Sequence, residues 1–324
     1  MRLRIAIVSC LGLALTLYLV SYVGLGAVLA AALAAGLGGF ALLCVCSLAT
    51  FALLGTAWSV LLPDSARVPV RVFVWARLVR EAAADVLPFS NFGGMVFGAR
   101  AAILHRVPST AAFASMIVDV TTELLGQVAF IALGFLLVCT RPRATFPASL
   151  SKIYWIGLVL AAAAGALFLV LQRHGHQVTL KLAARLLPRA VASAAGIGDG
   201  LNEIYASRTR VGVSSATHLA AWIAGACVTW LAFHLIGAHI DLAAVLAIES
   251  LVCAVRSAAV LVPSALGVQE ATYAALAPLF GVGAEFGLAV SLLKRARDIA
   301  IGVPILLVSQ TMEGRRALGN VSNP

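Results

Sequence analysis

Six stretches of the sequence are long enough and apolar enough to cross a lipid bilayer as α-helices. A spanning helix needs roughly 20 mostly apolar residues, and a soluble domain of this length needs far more polar surface. Of the 324 residues, 62% are hydrophobic and 11% are charged, and the mean hydropathy is +1.02. The sequence therefore predicts an all-α polytopic membrane helical bundle with full spans at residues 4–22, 39–62, 109–139, 150–172, 212–238 and 284–312.

Residues 1–22 are predicted to form an uncleaved signal-anchor span. The apolar run that follows Arg2 and Arg4 is slightly long for a cleaved signal peptide, and no convincing small-x-small cleavage site follows it. Short cytoplasmic loops are enriched in Lys and Arg, and basic residues recur after every second span. We therefore expect both termini in the cytoplasm, although the basic loop with Arg141, Arg143 and Lys152 then lies outside.

Residues 173–210 form a basic segment between the fourth and fifth predicted spans. Apolar residues such as Leu186, Ile197 and Ile204 recur at helical spacing, with basic residues opposite them. This pattern is typical of an amphipathic helix on an anionic membrane surface. A solvated cytoplasmic hairpin that only links two halves of the chain is an equally good interpretation.

Two further segments read as broken helices. In the first, a helical stretch stops at Pro88, since proline lacks an amide donor and disfavours helix in the residue before it. Gly93 and Gly94 are expected to let the chain turn before a second helix begins. The second segment has the same order of residues, with Arg256 before Pro263 and then Gly267. We expect two re-entrant hairpins with breaks at these prolines and glycines.

The two broken segments predict an inverted repeat. Glu123 lies 35 residues after Pro88, and Asp298 lies 35 residues after Pro263. The first repeat comprises residues 67–139 and the second residues 242–312, with the hairpins on opposite sides of the membrane. Interrupted helices in inverted repeats are typical of secondary transporters, which bind substrate near the midplane. The alternative is a pair of kinked spans with packing glycines.

Charged residues within the predicted spans suggest a polar path. Ionised groups are costly at the centre of a bilayer, so they usually face an interior and find partners, and guanidinium groups match phosphate. Asp119, Glu123 and Gln127 share one helical face because they are four residues apart. We predict substrate binding by Arg80, Arg100, Arg256, Glu270, Arg295 and Arg297, with ion-pairing or proton-coupling carboxylates at Asp119, Glu123, Glu249 and Asp298. The alternative is a static set of intramembrane ion pairs.

No motif in the sequence predicts enzymatic chemistry, and we expect no catalytic residue, cofactor or metal. His218, His234 and His239 have no metal-ligand spacing with nearby carboxylates, and no histidine is assigned to a site. Nucleotide, dinucleotide, serine hydrolase and zinc protease motifs are missing. The net charge of +10 is spread between apolar runs instead of forming one patch, so we expect no nucleic-acid partner.

Two stretches resemble a known family. The segment from Leu87 to Gly94 (LPFSNFGG) and the segment from Val262 to Glu270 (VPSALGVQE) are similar to hallmark stretches of the lysylphosphatidylglycerol synthase transmembrane-region family of flippase-like proteins. The segment from Ile117 to Gln127 and the pattern at Arg256 resemble the hopanoid-biosynthesis-associated subgroup. The resemblance covers residues from about 40 to 312.

The resemblance implies a bacterial inner-membrane protein that moves lipids. Two-domain members of the family carry a soluble synthase domain after the membrane part, and because this chain ends at Pro324, we do not expect aminoacyl transfer. The implied partners are membrane lipids (a hopanoid, a phospholipid or an isoprenoid lipid) and lipid-biosynthesis enzymes. A membrane-embedded lipid-modifying enzyme and a non-transporting scaffold for such enzymes remain alternatives to a flippase.

Overall fold

The protein is a bundle of α-helices in a computed structural model, with no β-strand in the part of the chain that the structure describes. That part comprises residues 33–63, 68–87, 90–139, 155–156, 159, 163, 188–258, 265 and 267–319. Its main helices are α1 (Gly36–Val60), α2 (Val70–Val86), α3 (Ser90–Leu104), α4 (Ser109–Cys139), α5 (Pro188–Ala206), α6 (Arg208–Leu235), α7 (Leu242–Ala258), α8 (Val268–Leu276) and α9 (Ala284–Gly319).

Three of the described helices, α1, α4 and α6, are long and apolar enough to cross a membrane. They coincide with the predicted spans 39–62, 109–139 and 212–238. The predicted span 284–312 falls within the single helix α9, whose charged residues leave it less apolar than the other three. The predicted span 4–22 and most of 150–172 lie outside the described residues.

The first predicted break separates α2 from α3. Helix α2 ends at Val86, and Leu87 is extended, with φ of −96° and ψ of 148°. Proline at the next position favours this conformation because its ring clashes with a helical residue before it. Pro88 itself lies outside the described residues.

The expected role of Gly93 and Gly94 as turn residues is wrong, because both lie inside α3. A Cβ atom at Gly94 would lie 2.7 Å from the backbone oxygen of Arg80. The glycine therefore lets α3 pack closely against α2, and α3 begins at Ser90, before both glycines.

The second break separates α7 from α8. Helix α7 ends at Ala258, and α8 begins after Gly267, whose φ of +74° is favourable only for glycine among the common residues. Pro263 and most of the connecting segment lie outside the described residues. Gly267 is thus the residue at which the chain re-enters a helix.

The helices before and after the two breaks pack in a corresponding way. Helix α1 packs along α6, α2 packs along α9, and α7 packs along α4. Glycines allow the close approach: a Cβ at Gly55 of α1 would lie 2.5 Å from Val74 Cα of α2, and one at Gly126 of α4 would lie 2.9 Å from His218 Cβ of α6. The helix before the first break, α2, therefore packs against the long helix that follows the second break, and the helix before the second break, α7, packs against the long helix that follows the first.

Helix α5 belongs to the segment 173–210. Its apolar residues Ile197, Leu201 and Ile204 pack against a cluster formed with Ala114 and Val118 of α4. At least this end of the segment is covered by protein, while residues 173–187 lie outside the described part of the chain.

The close packing at Gly55 can be tested by adding one methyl group. Gly55→Ala is expected to destabilise the protein by about 1–3 kcal/mol, because the new Cβ overlaps backbone atoms of α2. Gly225→Ala in α6 is the matched control, since no atom lies within 4 Å of its added Cβ. Thermal unfolding in detergent should show a lower Tm for Gly55→Ala alone. Equal Tm values for the two variants would contradict the packing described here.

Candidate functional site: a polar interior and an apolar groove

The most extensive set of charged side chains joins α2 to α4. Arg77 and Arg80 lie one turn apart on α2, and Asp119 and Glu123 lie one turn apart on α4. Both guanidinium groups donate hydrogen bonds to Asp119 Oδ2, at 3.0 Å from Arg77 and 2.7 Å from Arg80. Both also bond Glu123, at 2.5 Å from Arg77 Nη2 and 2.6 Å from Arg80 Nη2. Each carboxylate therefore bridges two arginines.

Two more side chains complete this set, which we name the arginine–carboxylate network. Arg77 Nε lies 2.7 Å from Glu81 Oε1, without the angle of a hydrogen bond. His218 of α6 donates from Nε2 to Asp119 Oδ1 at 3.0 Å. The network comprises Arg77, Arg80, Glu81, Asp119, Glu123 and His218.

The arginine–carboxylate network is buried to an unusual degree for charged groups. The Arg77 side chain is 1% exposed, and those of Asp119 and His218 are fully buried. Removing a charge from water costs several kcal/mol, which only close partners and additional hydrogen bonds offset. The shared carboxylates provide these partners, so the network holds α2, α4 and α6 in one arrangement.

A second polar cluster joins α7, α8 and α9. Lys294 Nζ donates to both carboxylate oxygens of Glu249, at 2.9 and 3.0 Å, and to Thr229 Oγ1 at 3.0 Å. It also lies 2.6 Å from the hydroxyl of Tyr273, which in turn bonds Glu249. The predicted ion-pairing residue Glu249 is thus bound by Lys294, although it shares a helical face with Arg256.

Glu270 and Arg295 form an ion pair between α8 and α9. Arg295 Nε lies 3.0 Å from Glu270 Oε1, and both side chains are nearly buried. The second carboxylate oxygen of Glu270 is buried without a hydrogen-bond partner within the described residues. Next to this pair, Gln269 donates to Ser291 at 3.1 Å. One face of the short helix α8 is therefore anchored to α9 by polar contacts.

Arg297 and Asp298 are the remaining predicted pair in α9. Arg297 Nη2 lies 2.5 Å from Asp298 Oδ1, and its Nη1 donates to Ser47 of α1 at 3.3 Å. Asp85 of α2 interacts electrostatically with both residues and with Arg256. This cluster lies where α2 of the first predicted repeat packs against α9 of the second.

The two exposed arginines of the predicted site have different surroundings. Arg100 is 62% exposed and pairs with Glu313 at 2.9 Å, away from the buried networks. Arg256 is also exposed, and it makes no hydrogen bond or ion pair with another described residue. Arg256 interacts electrostatically with Asp85, yet among the described residues it is the predicted arginine that no close ion pair holds.

An apolar groove lies between α7 and α8. Its cavity has a volume of about 580 Å³, within the range of ligand-binding pockets. The lining is aliphatic except for one threonine, and it includes the residue that precedes Arg256. The residues of this groove are Leu251, Val255, Gly267, Val268, Ala271, Thr272, Ala275 and Leu276.

The structure also bears on metal binding. Among the described residues, no three His, Cys, Asp or Glu side chains come together as a metal site. The side chains around Asp119 and Glu123 are instead arginines and one histidine, which neutralise the carboxylates directly.

A family model matches nearly the whole chain. The model describes the lysylphosphatidylglycerol synthase TM region, and the match covers residues 3–305. The chain belongs to this family. It is therefore an integral membrane protein linked to lipid metabolism, and the apolar helices α1, α4 and α6 agree with that placement. No curated protein and no solved structure matches the chain.

In this member of the lysylphosphatidylglycerol synthase TM region family, the sequence missed several residues of the polar interior. Arg80 was predicted to bind substrate and Arg77 was assigned no role, but both are buried in ion pairs with α4. The spacing of Arg77 and Arg80 on one face, opposite the Asp119 and Glu123 face, was the available signal. His218 gave no such signal, because its partner Asp119 is 99 residues away.

Because Arg77 is buried in the arginine–carboxylate network and Arg100 is exposed, replacing Arg77 should lower the stability far more than replacing Arg100. Arg77→Gln is expected to destabilise this family member by about 3–5 kcal/mol, because it leaves buried carboxylates without a partner. Arg100→Gln should cost at most about 1 kcal/mol, since Arg100 belongs to an exposed pair. Thermal unfolding in detergent measures both values.

A double variant provides the control for this prediction. Arg77→Gln combined with Glu123→Gln removes one charge of each sign, so its loss should be smaller than the sum of the single losses. Additive losses would mean that the two side chains are not coupled, which would contradict the 2.5 Å contact between them.

Proposed function

We propose that this protein moves lipids across the bacterial inner membrane as a flippase-like transporter and has no enzymatic activity of its own. The family places the chain among membrane proteins linked to lipid metabolism, so membrane lipids are its natural ligands. The proposed cargo is a hopanoid with a polar head or a phospholipid. We propose that the protein is multi-pass, with both termini in the cytoplasm.

The observation that carries this proposal is the apolar groove between α7 and α8, with Arg256 as the residue that follows the groove residue Val255 along α7. A lipid has an apolar tail and a polar head, and a site for it needs both environments side by side. The groove between α7 and α8 offers aliphatic walls. Arg256, the residue after Val255 of the groove, offers an exposed guanidinium without a hydrogen bond or close ion pair in the described chain, which suits a phosphate by paired hydrogen bonds.

The polar clusters between the helices support transport over simple lipid binding. Charged groups inside a membrane protein commonly mark the path of a polar substrate or ion. Helix α9 carries three cationic side chains that contact different helices. Lys294 bonds α7, Arg295 bonds α8 and Arg297 bonds α1. A polar headgroup that leaves Arg256 would meet this surface if the contacts between α8 and α9 opened.

The packing of the two groups of helices supports an inverted repeat. Helices α1 to α4 and α6 to α9 each contain a break, and α2 packs on α9 as α7 packs on α4. Broken helices at a repeat interface are typical of transporters that alternate access to a central site. We propose that the pairs α2–α3 and α7–α8 are re-entrant hairpins on opposite sides of the membrane.

Lipid movement in proteoliposomes tests this function. Headgroup-labelled phospholipids and a polar hopanoid are followed across the bilayer with the wild-type protein and with Arg256→Gln and Ala271→Trp. Loss of a charge-assisted hydrogen bond of about 1.5–3 kcal/mol should slow movement about tenfold or more in Arg256→Gln. Ala271→Trp should do the same because it fills the groove.

Two surface variants are matched controls for this assay. Arg208→Gln removes an exposed arginine, and Ala216→Trp adds a large side chain at an exposed position of α6, where it lines no groove. Both should move lipid at the wild-type rate. Equal rates for all five proteins would refute the site, and no movement of any lipid would refute the transport function.

A further inference from the structure

His218 is a buried histidine with one ring nitrogen unused. Its side chain is fully buried, and Nε2 lies 3.0 Å from Asp119 Oδ1. A carboxylate can only accept, so Nε2 carries the hydrogen of this bond. The other nitrogen, Nδ1, is buried and has no hydrogen-bond partner within the described residues. In the neutral imidazole, Nδ1 therefore holds a free lone pair in the protein interior.

The charges around His218 do not balance while it is neutral. The arginine–carboxylate network contains two positive groups, Arg77 and Arg80, and three negative groups, Glu81, Asp119 and Glu123. One proton on His218 would bring these six side chains to neutrality, of which Glu81 is 22% exposed and also interacts with Asp85. An uncompensated charge in an apolar interior is costly, and histidine is the side chain that ordinarily changes its charge between about pH 5 and 8.

We propose that His218 is the proton-binding site that couples this protein to a proton gradient. The proton adds to Nδ1 and forms an imidazolium, while Nε2–H continues to donate to Asp119. This inference deepens the proposed transport function, for which it names the coupling ion. The proton enters from solvent on one side of the membrane and leaves on the other side, so no further reactant is needed.

Protonation would act on the packing of three helices through Asp119. This carboxylate is shared by His218, Arg77 and Arg80. A positive imidazolium attracts Asp119 more strongly than the neutral ring does, and it repels the two guanidinium groups that share this carboxylate. Helix α2, which carries both arginines and leads into the first break, would then be held less tightly at Asp119, while its bonds to Glu123 remain.

No other charged group lies as close to the His218 ring as Asp119 among the described contacts. From α4 the facing groups are Asp119 and Glu123, and from α2 they are Arg77 and Arg80 through Asp119. Helix α1 has no charged residue. Three other helices bring titratable groups near α6. Cys253 of α7 packs beside Trp222. Tyr205 of α5 bonds Thr121 of α4, and Lys294 of α9 bonds Thr229 of α6.

The proton-binding step is measured directly by ¹⁵N NMR of histidine-labelled protein in lipid. The His218 signals are assigned by their loss in His218→Gln and followed between pH 5 and 8. We expect Nδ1 to change from an unprotonated to a protonated nitrogen as the pH falls. An unchanged His218 ring over this range would overturn the proposal, whether or not the protein moves lipid.

The coupling step is measured as lipid asymmetry in proteoliposomes with an imposed pH difference. One coupled proton limits the asymmetry to about tenfold for one pH unit, so the wild type should approach that ratio. His218→Gln, whose amide can still donate to Asp119, should give a ratio near one. His234→Gln is the matched control, since His234 lies on the same helix and bonds only the backbone oxygen of Trp230.

The outcomes separate this inference from the proposed function. If His218→Gln keeps the wild-type asymmetry, or if the wild type moves lipid without any response to the pH difference, proton coupling at His218 is wrong while lipid transport stands. If no protein moves any lipid, the transport function is wrong, and the NMR titration alone decides whether His218 binds a proton.

Discussion

The burial of Arg77 and Arg80 against Asp119 and Glu123 is the constraint on which the rest of the interior depends. These four side chains can be placed away from water only as a group, because each carboxylate is shared by both arginines. Helices α2 and α4 must therefore stay in register, and α6 joins them through His218. Glycines bring other helices close to this group, Gly55 between α1 and α2 and Gly126 between α4 and α6.

The sequence predicted those features that depend on local chemistry. Leu87 is extended because proline follows it, so the end of α2 could be foreseen, and the four-residue spacing of Asp119 and Glu123 placed them on one face. Partners could not be foreseen, because they depend on how distant helices pack. Lys294 and Arg295 are adjacent in sequence but point about 100° apart, and they bind Glu249 of α7 and Glu270 of α8. Gly93 and Gly94 looked like turn residues, whereas the second glycine serves a close helix contact.

The polar interior and the apolar groove place two different environments side by side. Ion pairs bind most of the predicted arginines, whereas Arg256 is exposed and follows Val255, one of the groove residues, along α7. Such an arrangement fits an amphiphile better than a purely polar or purely apolar ligand. The family membership gives this arrangement its context, because a protein linked to lipid metabolism works within a solvent made of amphiphiles.

Photo-crosslinking with a bifunctional phospholipid tests most directly whether a lipid occupies the groove between α7 and α8. The reactive group is carried on the acyl chain, and the attachment sites are mapped by mass spectrometry. We expect crosslinks at groove residues such as Ala271 and Ala275. Excess unlabelled lipid and the Arg256→Gln substitution should each lower their yield. Crosslinks spread evenly over the exposed apolar face of α1, at residues such as Leu37 and Val45, with none in the groove, would contradict this expectation.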